Sequence, residues 1–134
     1  MAFGFRKKKE AQPPSGAPVE FIPQAGACLV TTHVRDRVGR VKFMHRDESK
    51  APADNGWRIF GEHDTQEYMN QGNPFVIMDY NQACAIEPAL IGIYDFPVGS
   101  DLRIERDDRI RVIDVTTGRE IPEENFYVPP QFRA

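Results

Sequence analysis

The chain has 134 residues, the usual size of one domain, and its 40% apolar residues with 9 Phe and 4 Tyr exclude full disorder. Its 11 prolines and 10 glycines argue against a helical bundle, because both residues break helix interiors. The formal net charge of −3 argues against a general nucleic-acid binder, which usually carries a basic excess, so we expect no nucleic-acid partner.

The two ends of the chain differ from its middle in composition. Residues 1–24 contain four prolines and the basic run 6–9, which predicts a flexible leader without the apolar segment of a secretory signal. Residues 122–134 combine three prolines with aromatic residues and predict an irregular tail that packs on the body. We therefore expect a single domain over residues 25–121. No apolar stretch is long enough for a membrane span.

The first two predicted strands are joined by a short polar turn. Residues 27–34 are rich in β-branched side chains, and residues 40–46 alternate between polar and apolar. Because only residues 35–39 lie between them, we expect the two strands to pair as a hairpin. The alternation predicts that Val41 and Phe43 share one face of the second strand.

A polar loop and a tight turn precede the next strand. Residues 47–56 are polar and end in Asn55-Gly56, a pair typical of turns with a positive φ. The short apolar segment 57–60 then predicts a strand.

A short helix is predicted over residues 64–72. Asp64 is its expected N-cap, Glu67 lies three residues further on as in a capping box, and Gly72 supplies the stop. The apolar run 75–79 shows no alternation and predicts a central strand that is covered on both faces.

The remaining segments predict two helical pieces followed by paired strands. Residues 80–86 predict a helical turn, and Pro88 is suited to open a second helix that extends to Tyr94. Alternating polar and apolar residues predict strands over 101–106 and 109–115, and a last hairpin leads into residues 120–121. Strands outnumber short helices, so the predicted fold class is α+β, a mixed, mainly antiparallel sheet with short helices on one face.

Few residues have the spacing of catalytic or metal-binding groups. Cys28 and Cys84 are 56 positions apart and form no Cys-x-x-Cys pair, so they predict two buried reduced thiols. The adjacent Glu62, His63 and Asp64 leave a small metal-dependent hydrolase open as an alternative. Acidic residues at a helix start also stabilise the helix dipole, so we expect no metal, no cofactor and no enzymatic activity.

Two segments carry a resemblance to a known family. Residues 54–62 read Asp-Asn-Gly-Trp-Arg-Ile-Phe-Gly-Glu, an acidic stretch follows, and residues 97–100 read Pro-Val-Gly-Ser. In these features the chain resembles the bacterial immunity protein thirty-three family, a former domain of unknown function, over about residues 26–106. That family typically has a Gly-Trp-Arg-Phe-Phe-like run, and Ile59 stands here where an aromatic residue is common.

The resemblance implies a small cytoplasmic α+β protein that binds and neutralises a cognate bacterial toxin without catalysis. Residues 1–24 carry four basic and two acidic side chains, so the rest of the chain has a net charge of −5, which would attract a basic toxin. The candidate contacts flank the predicted 55–56 turn and the predicted helix start, and they are Asp54, Arg58, Glu62, Asp64 and Glu67 as exposed residues with Trp57 as a supporting wall. A general protein-interaction or regulatory module is the alternative, and unpaired strand edges leave a homodimer open.

Overall fold

The computed structural model describes residues 19–133. Most of the predicted leader over residues 1–24 therefore lies outside the described residues, and the predicted domain bounds stay a prediction. Within the described part, Ile22 is already fully buried. The backbone N–H groups of Phe21 and Ile22 donate to Oδ1 of Asn81 at 3.0 and 2.9 Å, so the chain packs on the body from residue 21 onward.

The described residues form seven strands, four short helices and two 3₁₀ turns. In chain order these are β1 (Ala27–Thr31), α1 (Thr32–Arg35), β2 (Val41–Arg46), β3 (Asp54–Gly61), α2 (Gln66–Met69), β4 (Phe75–Asp79), α3 (Tyr80–Ile86), α4 (Ala89–Gly92), β5 (Asp101–Arg106), β6 (Ile110–Asp114), β7 (Arg119–Glu120) and 3₁₀ turns at Glu123–Asn125 and Pro130–Phe132. None of the helices between residues 19 and 133 is long and apolar enough to cross a membrane.

All seven strands belong to one sheet. Their order is β4-β1-β3-β2-β5-β6-β7, with β1 and β3 parallel and every other neighbouring pair antiparallel. The fold class is therefore α+β with a mixed, mainly antiparallel sheet, as the sequence predicts.

The predicted hairpin between the first two strands is wrong. The side-chain oxygen of Thr31 accepts a hydrogen bond from the Val34 N–H at 3.3 Å, so Thr31 caps α1 and ends β1 three residues before the predicted bound. The chain turns away at this cap, and β3 inserts between β1 and β2 in the sheet. Thr31 is β-branched, and β-branched residues are common in strands. The sequence pattern therefore does not reveal that the strand ends at this cap, and the predicted strand extends to residue 34.

The predicted faces of β2 are also wrong. Val41 is buried as expected, but Met44 is fully buried and Phe43 is 42% exposed. The register of β2 against β3 shifts between Val41 and Phe43, so one extra residue stands in the strand. A one-residue bulge moves every later side chain to the opposite face.

The strand over residues 75–79 lies at an edge of the sheet and not at its centre. Among the described residues β4 pairs with β1 alone. Met78 faces the core, but Ile77 on the other face is 79% exposed. The apolar run therefore does not reflect burial on both faces.

Helices α3 and α4 and the C-terminal tail cover one face of the sheet. The buried strand residues on this inner face are Cys28, Val30, Met44, Trp57, Ile59, Met78, Leu102, Ile104 and Val112. Tyr80, Ala83, Cys84, Leu90 and Ile93 from the helical side complete the core. Both cysteines are free and buried as predicted, and burial raises the pKa of the Cys84 thiol to about 12.

The tail packs on α4 through its aromatic residues. The Tyr127 N–H donates to the Gly92 carbonyl oxygen at 2.8 Å, and Phe126 lies directly over Gly92. Phe126 also stacks on Phe96 with ring centroids 6.2 Å apart. These contacts close one side of the core.

Candidate functional site

The six residues predicted at a partner site fall into two groups at opposite ends of β3. Asp54, Trp57 and Arg58 belong to the first half of the strand. Glu62 follows the strand end, and the remaining two lie in the adjoining loop and in α2. Asp54 and Glu62 are separated by the length of β3, roughly 20 Å, so one compact site does not contain all six.

The first group centres on a buried ion pair. The Nη1 and Nη2 atoms of Arg58 each donate to one carboxylate oxygen of Asp54 at 2.9 Å, and Arg58 is only 6% exposed. Asp47 lies 3.7 Å from the guanidinium, and the N–H groups of Lys50 and Gly56 donate to Asp54 at 2.8 Å. The Arg58 guanidinium holds the pKa of the Asp54 carboxyl well below its usual range.

Trp57 is an internal anchor. Its side chain lies on the inner face of the sheet, is fully buried, and donates from Nε1 to the Tyr94 carbonyl oxygen at 3.0 Å. The Arg46 guanidinium stands over the indole ring at 5.7 Å and donates to the Phe96 carbonyl oxygen at 2.6 Å. Trp57 and Arg46 thus hold the segment that follows α4 against the sheet.

Asp64 does not cap the helix as predicted. Thr65 is the N-cap of α2, because its side-chain oxygen accepts a hydrogen bond from the Tyr68 N–H at 3.1 Å. The helix covers only Gln66–Met69 and is shorter than the predicted segment 64–72. Glu67 lies in its first turn, where a carboxylate stabilises the helix dipole.

Asp64 is instead the centre of a polar cluster beneath the surface. Its carboxyl oxygens accept from the Thr31 hydroxyl at 2.7 Å, from Nδ1 of His33 at 2.8 Å and from the Gly61 N–H. The His33 ring stacks on Tyr68 with centroids 3.9 Å apart. This cluster ties the ends of β1 and β3 to α2.

The adjacent Glu62, His63 and Asp64 do not converge on a metal position. Glu62 accepts from the Arg40 N–H at 2.8 Å and lies 3.9 Å from Nε2 of His63, while Asp64 points into its own cluster. Between residues 19 and 133 no group of three or more His, Cys, Asp and Glu side chains could hold a metal ion.

The expectation that the charged candidates are exposed is wrong for two of them. The Asp64 side chain is 1% exposed, and Arg58 is buried by its own ion pair. Glu62 and Glu67 are exposed, and Asp54 is partly exposed. The two fully exposed carboxylates of the candidate site are therefore those of Glu62, before α2, and Glu67, in α2, here called the α2 acidic pair.

A surface that sequence reasoning missed lies at the β4 edge. Ile77 and Leu29 stand opposite each other on the outer face of the sheet and line a mostly apolar pocket of about 200 Å³. Lys50, Ala51 and Ala53 from the loop before β3 close its other side. The run 75–79 was the available signal, but a continuous apolar run predicts a buried strand as readily as an exposed edge.

The fold and the candidate site define a small α+β sheet protein whose charged side chains near β3 mainly hold its own loops in place. The model of the Immunity protein Imm33 domain matches residues 28–114, from β1 to the end of β6. The chain belongs to this family, which confirms the resemblance seen in the sequence. No curated protein and no solved structure matches the chain.

Proposed function

We propose that this chain binds a cognate bacterial toxin and neutralises it without catalysing a reaction. The observation that carries this proposal is the family match over residues 28–114, which includes both groups of candidate residues. An encounter in the bacterial cytoplasm is part of the proposal.

The α2 acidic pair is the proposed contact surface. Glu62 and Glu67 are exposed, and the chain after residue 24 carries a net charge of −5. Carboxylates on an acidic body steer a basic partner toward the surface and fix its orientation. The toxin surface that meets Glu62 and Glu67 is therefore expected to carry Lys or Arg side chains.

The buried Asp64 supports this surface without touching the partner, because it fixes the start of α2 through Thr31 and His33. The ion pair between Asp54 and Arg58 fixes the loop before β3, at the opposite end of the strand, and does not hold this surface. A surface that is held rigid before binding loses less entropy when the complex forms.

Capture of a candidate toxin, taken from the products of the genes that flank the gene for this chain, tests the proposal. The double variant Glu62→Lys/Glu67→Lys is compared with Glu123→Lys/Glu124→Lys, which changes the charge equally at an exposed 3₁₀ turn. We expect the first variant to bind at least about tenfold more weakly, equal to about 1.4 kcal/mol, and the second to bind like the natural chain.

Three other outcomes would speak against parts of the proposal. If the natural chain fails to capture the candidate toxin, the proposed function is wrong. If both double variants lose affinity equally, the contact lies outside the α2 acidic pair. If the chain captures proteins unrelated to any toxin and gives no protection, it is a general interaction module.

A further inference from the structure

The two edges of the sheet differ in how they are protected from pairing. β7 has only two residues, Arg119 and Glu120, and both are charged and exposed. β4 has five residues with one charge, Asp79, at its end, and it pairs regularly with β1 along its whole length. Natural edge strands are usually blunted by short length, lysine, proline or a bulge. Within residues 19–133, the β7 edge is blunted in this way and the β4 edge is not.

The register identifies which backbone groups of β4 face outward. The Thr32 N–H donates to the Pro74 carbonyl oxygen, and the Tyr80 N–H donates to the Gly26 carbonyl oxygen, at either end of β4. Even-numbered residues of this strand therefore bond to β1, and odd-numbered residues direct their backbone groups away from it. The outward set is centred on Ile77, which offers both an N–H and a carbonyl group.

Two neighbours of Ile77 complete the outward set. The Phe75 carbonyl oxygen and the Asp79 N–H point to the same side as the Ile77 groups, whereas the Phe75 N–H is already bonded to the Asn73 side chain at 3.2 Å. The edge thus presents three residues in alternation, with an exposed isoleucine in the middle.

We propose that β4 pairs antiparallel with β4 of a second copy of this chain, with the two-fold axis at Ile77. In this register the two Ile77 residues exchange both of their backbone hydrogen bonds. The Asp79 N–H of each copy donates to the Phe75 carbonyl oxygen of the other. The two sheets become one continuous fourteen-stranded sheet, whose count follows from the seven strands of each copy.

A second copy fits this edge because the strand is complementary to itself. The axis brings the exposed Ile77 side chains together and extends an apolar row through Leu29 in each copy. The one charge on the strand, Asp79, falls opposite Phe75 and not opposite its own counterpart, so no like charges meet directly. A five-residue contact is small, and we expect a dissociation constant of about 0.1 mM.

Sedimentation velocity of the full chain between about 5 μM and 1 mM tests the proposal. The variant Ile77→Lys places two cations at the axis, and Val98→Lys is the control, because Val98 is a similarly exposed residue in the loop before β5. We expect the natural chain and the control to become dimeric with concentration, and Ile77→Lys to stay monomeric. Unchanged melting temperatures show that both variants fold.

Amide hydrogen exchange gives a second readout that is specific to the register. We expect the N–H groups of Ile77 and Asp79 to exchange about fourfold to fivefold more slowly at 1 mM than at 5 μM, because a dissociation constant of about 0.1 mM leaves about one fifth of the chains monomeric and open to exchange at 1 mM. The exchange of the even-numbered Val76 and Met78 should change less, because their N–H groups already face β1.

Several results would overturn self-pairing. These are a natural chain that is monomeric at 1 mM, a dimer that survives Ile77→Lys, and exchange at Ile77 that is slow at every concentration because residues outside 19–133 cover the edge. A monomeric chain whose toxin capture is lost in Ile77→Lys would assign the edge to a toxin strand. The oligomeric state does not depend on the toxin, so this test can fail while the proposed function holds.

Discussion

Gly56 shows how one residue shapes the candidate site. Its φ is +91°, and a Cβ at this position would lie 2.2 Å from the Asp47 carbonyl oxygen. The Asn55-Gly56 pair predicts a positive φ, and this is confirmed, but both residues lie inside β3 and not in a hairpin turn. They form a bulge, because the register with β1 shifts between the pairs Ala27–Asp54 and Leu29–Arg58.

Gly56→Ala is expected to cost about 3 kcal/mol or more of unfolding free energy, because it combines positive φ with a backbone clash. Gly99→Ala is the matched control: its φ is +97°, but nothing lies within 4 Å of the added Cβ. That substitution should cost only about 1 kcal/mol. Urea denaturation of both variants measures the difference, and equal losses would refute the role of the clash.

A second prediction at the residue scale concerns the ion pair of Asp54 with Arg58. Asp54→Asn leaves a buried guanidinium with only Asp47 nearby and should lower the stability at pH 7 by about 3 kcal/mol. The control Asp95→Asn changes an exposed carboxylate and should stay within about 0.5 kcal/mol.

The pH dependence of this pair has a defined sign. The pKa of Asp54 is lower in the folded chain than its unfolded value of about 3.9, so the stabilisation is present above that value and is lost as the pH falls toward the folded pKa. The stability gap between the natural chain and Asp54→Asn should therefore narrow as the pH is lowered from about 5 to 3. A stability difference that stays constant over this pH range would show that the charge of the Asp54 carboxylate is not the source of the stabilisation.

At the scale of elements, patterns that depend on local alternation are predicted well. β5 covers the predicted residues 101–106, and β6 lies within one residue of the predicted bounds at each end. The sequence predicts that β1 and β2 are strands, but it does not predict which strands they pair with. β3 inserts between them, and this order depends on contacts between distant parts of the chain. The bulge in β2 is not visible in the alternation of polar and apolar residues, so the sequence assigns Phe43 and Met44 to the wrong faces.

For the candidate site, the sequence likewise shows which charged side chains are present, but it does not show where the fold places them. Asp54 and Arg58 are four residues apart, which in a regular strand separates them by about 13 Å. The bulge at residues 55–56 brings their side chains into contact, so spacing alone indicated two exposed charges where the fold makes a buried pair. The predicted cap at Asp64 is wrong because its carboxylate is engaged by Thr31 and His33, and the neighbouring Thr65, which is also an N-cap residue type, takes its place.

The contact between the tail and α4 gives a prediction at the element scale. Phe126 packs over Gly92 and stacks on Phe96, so Phe126→Ala should destabilise the fold by about 2 kcal/mol. Phe132 in the same tail is 66% exposed, and Phe132→Ala should stay within about 0.5 kcal/mol. Chemical denaturation of the two variants compares them, and similar values would show that the tail is not docked through Phe126.

At the scale of the whole molecule, the residues that hold the fold together and the surfaces that are available for binding lie in different parts of the sheet. Its inner face carries the core under α3, α4 and the tail, and most charged candidates near β3 are used to hold loops together. The α2 acidic pair remains accessible at one end of β3, and the β4 edge remains unpaired among residues 19–133. The account therefore assigns toxin contact and self-pairing to different surfaces.

Growth protection tests the central claim most directly. A candidate toxin, taken from the products of the genes that flank the gene for this chain, is expressed in bacterial cells together with the natural chain, with Glu62→Lys/Glu67→Lys, or with Glu123→Lys/Glu124→Lys, all at equal soluble levels. The account predicts that the natural chain and the Glu123/Glu124 variant restore growth and that the Glu62/Glu67 variant protects markedly less. Cells that stop growing despite abundant soluble natural chain would contradict it.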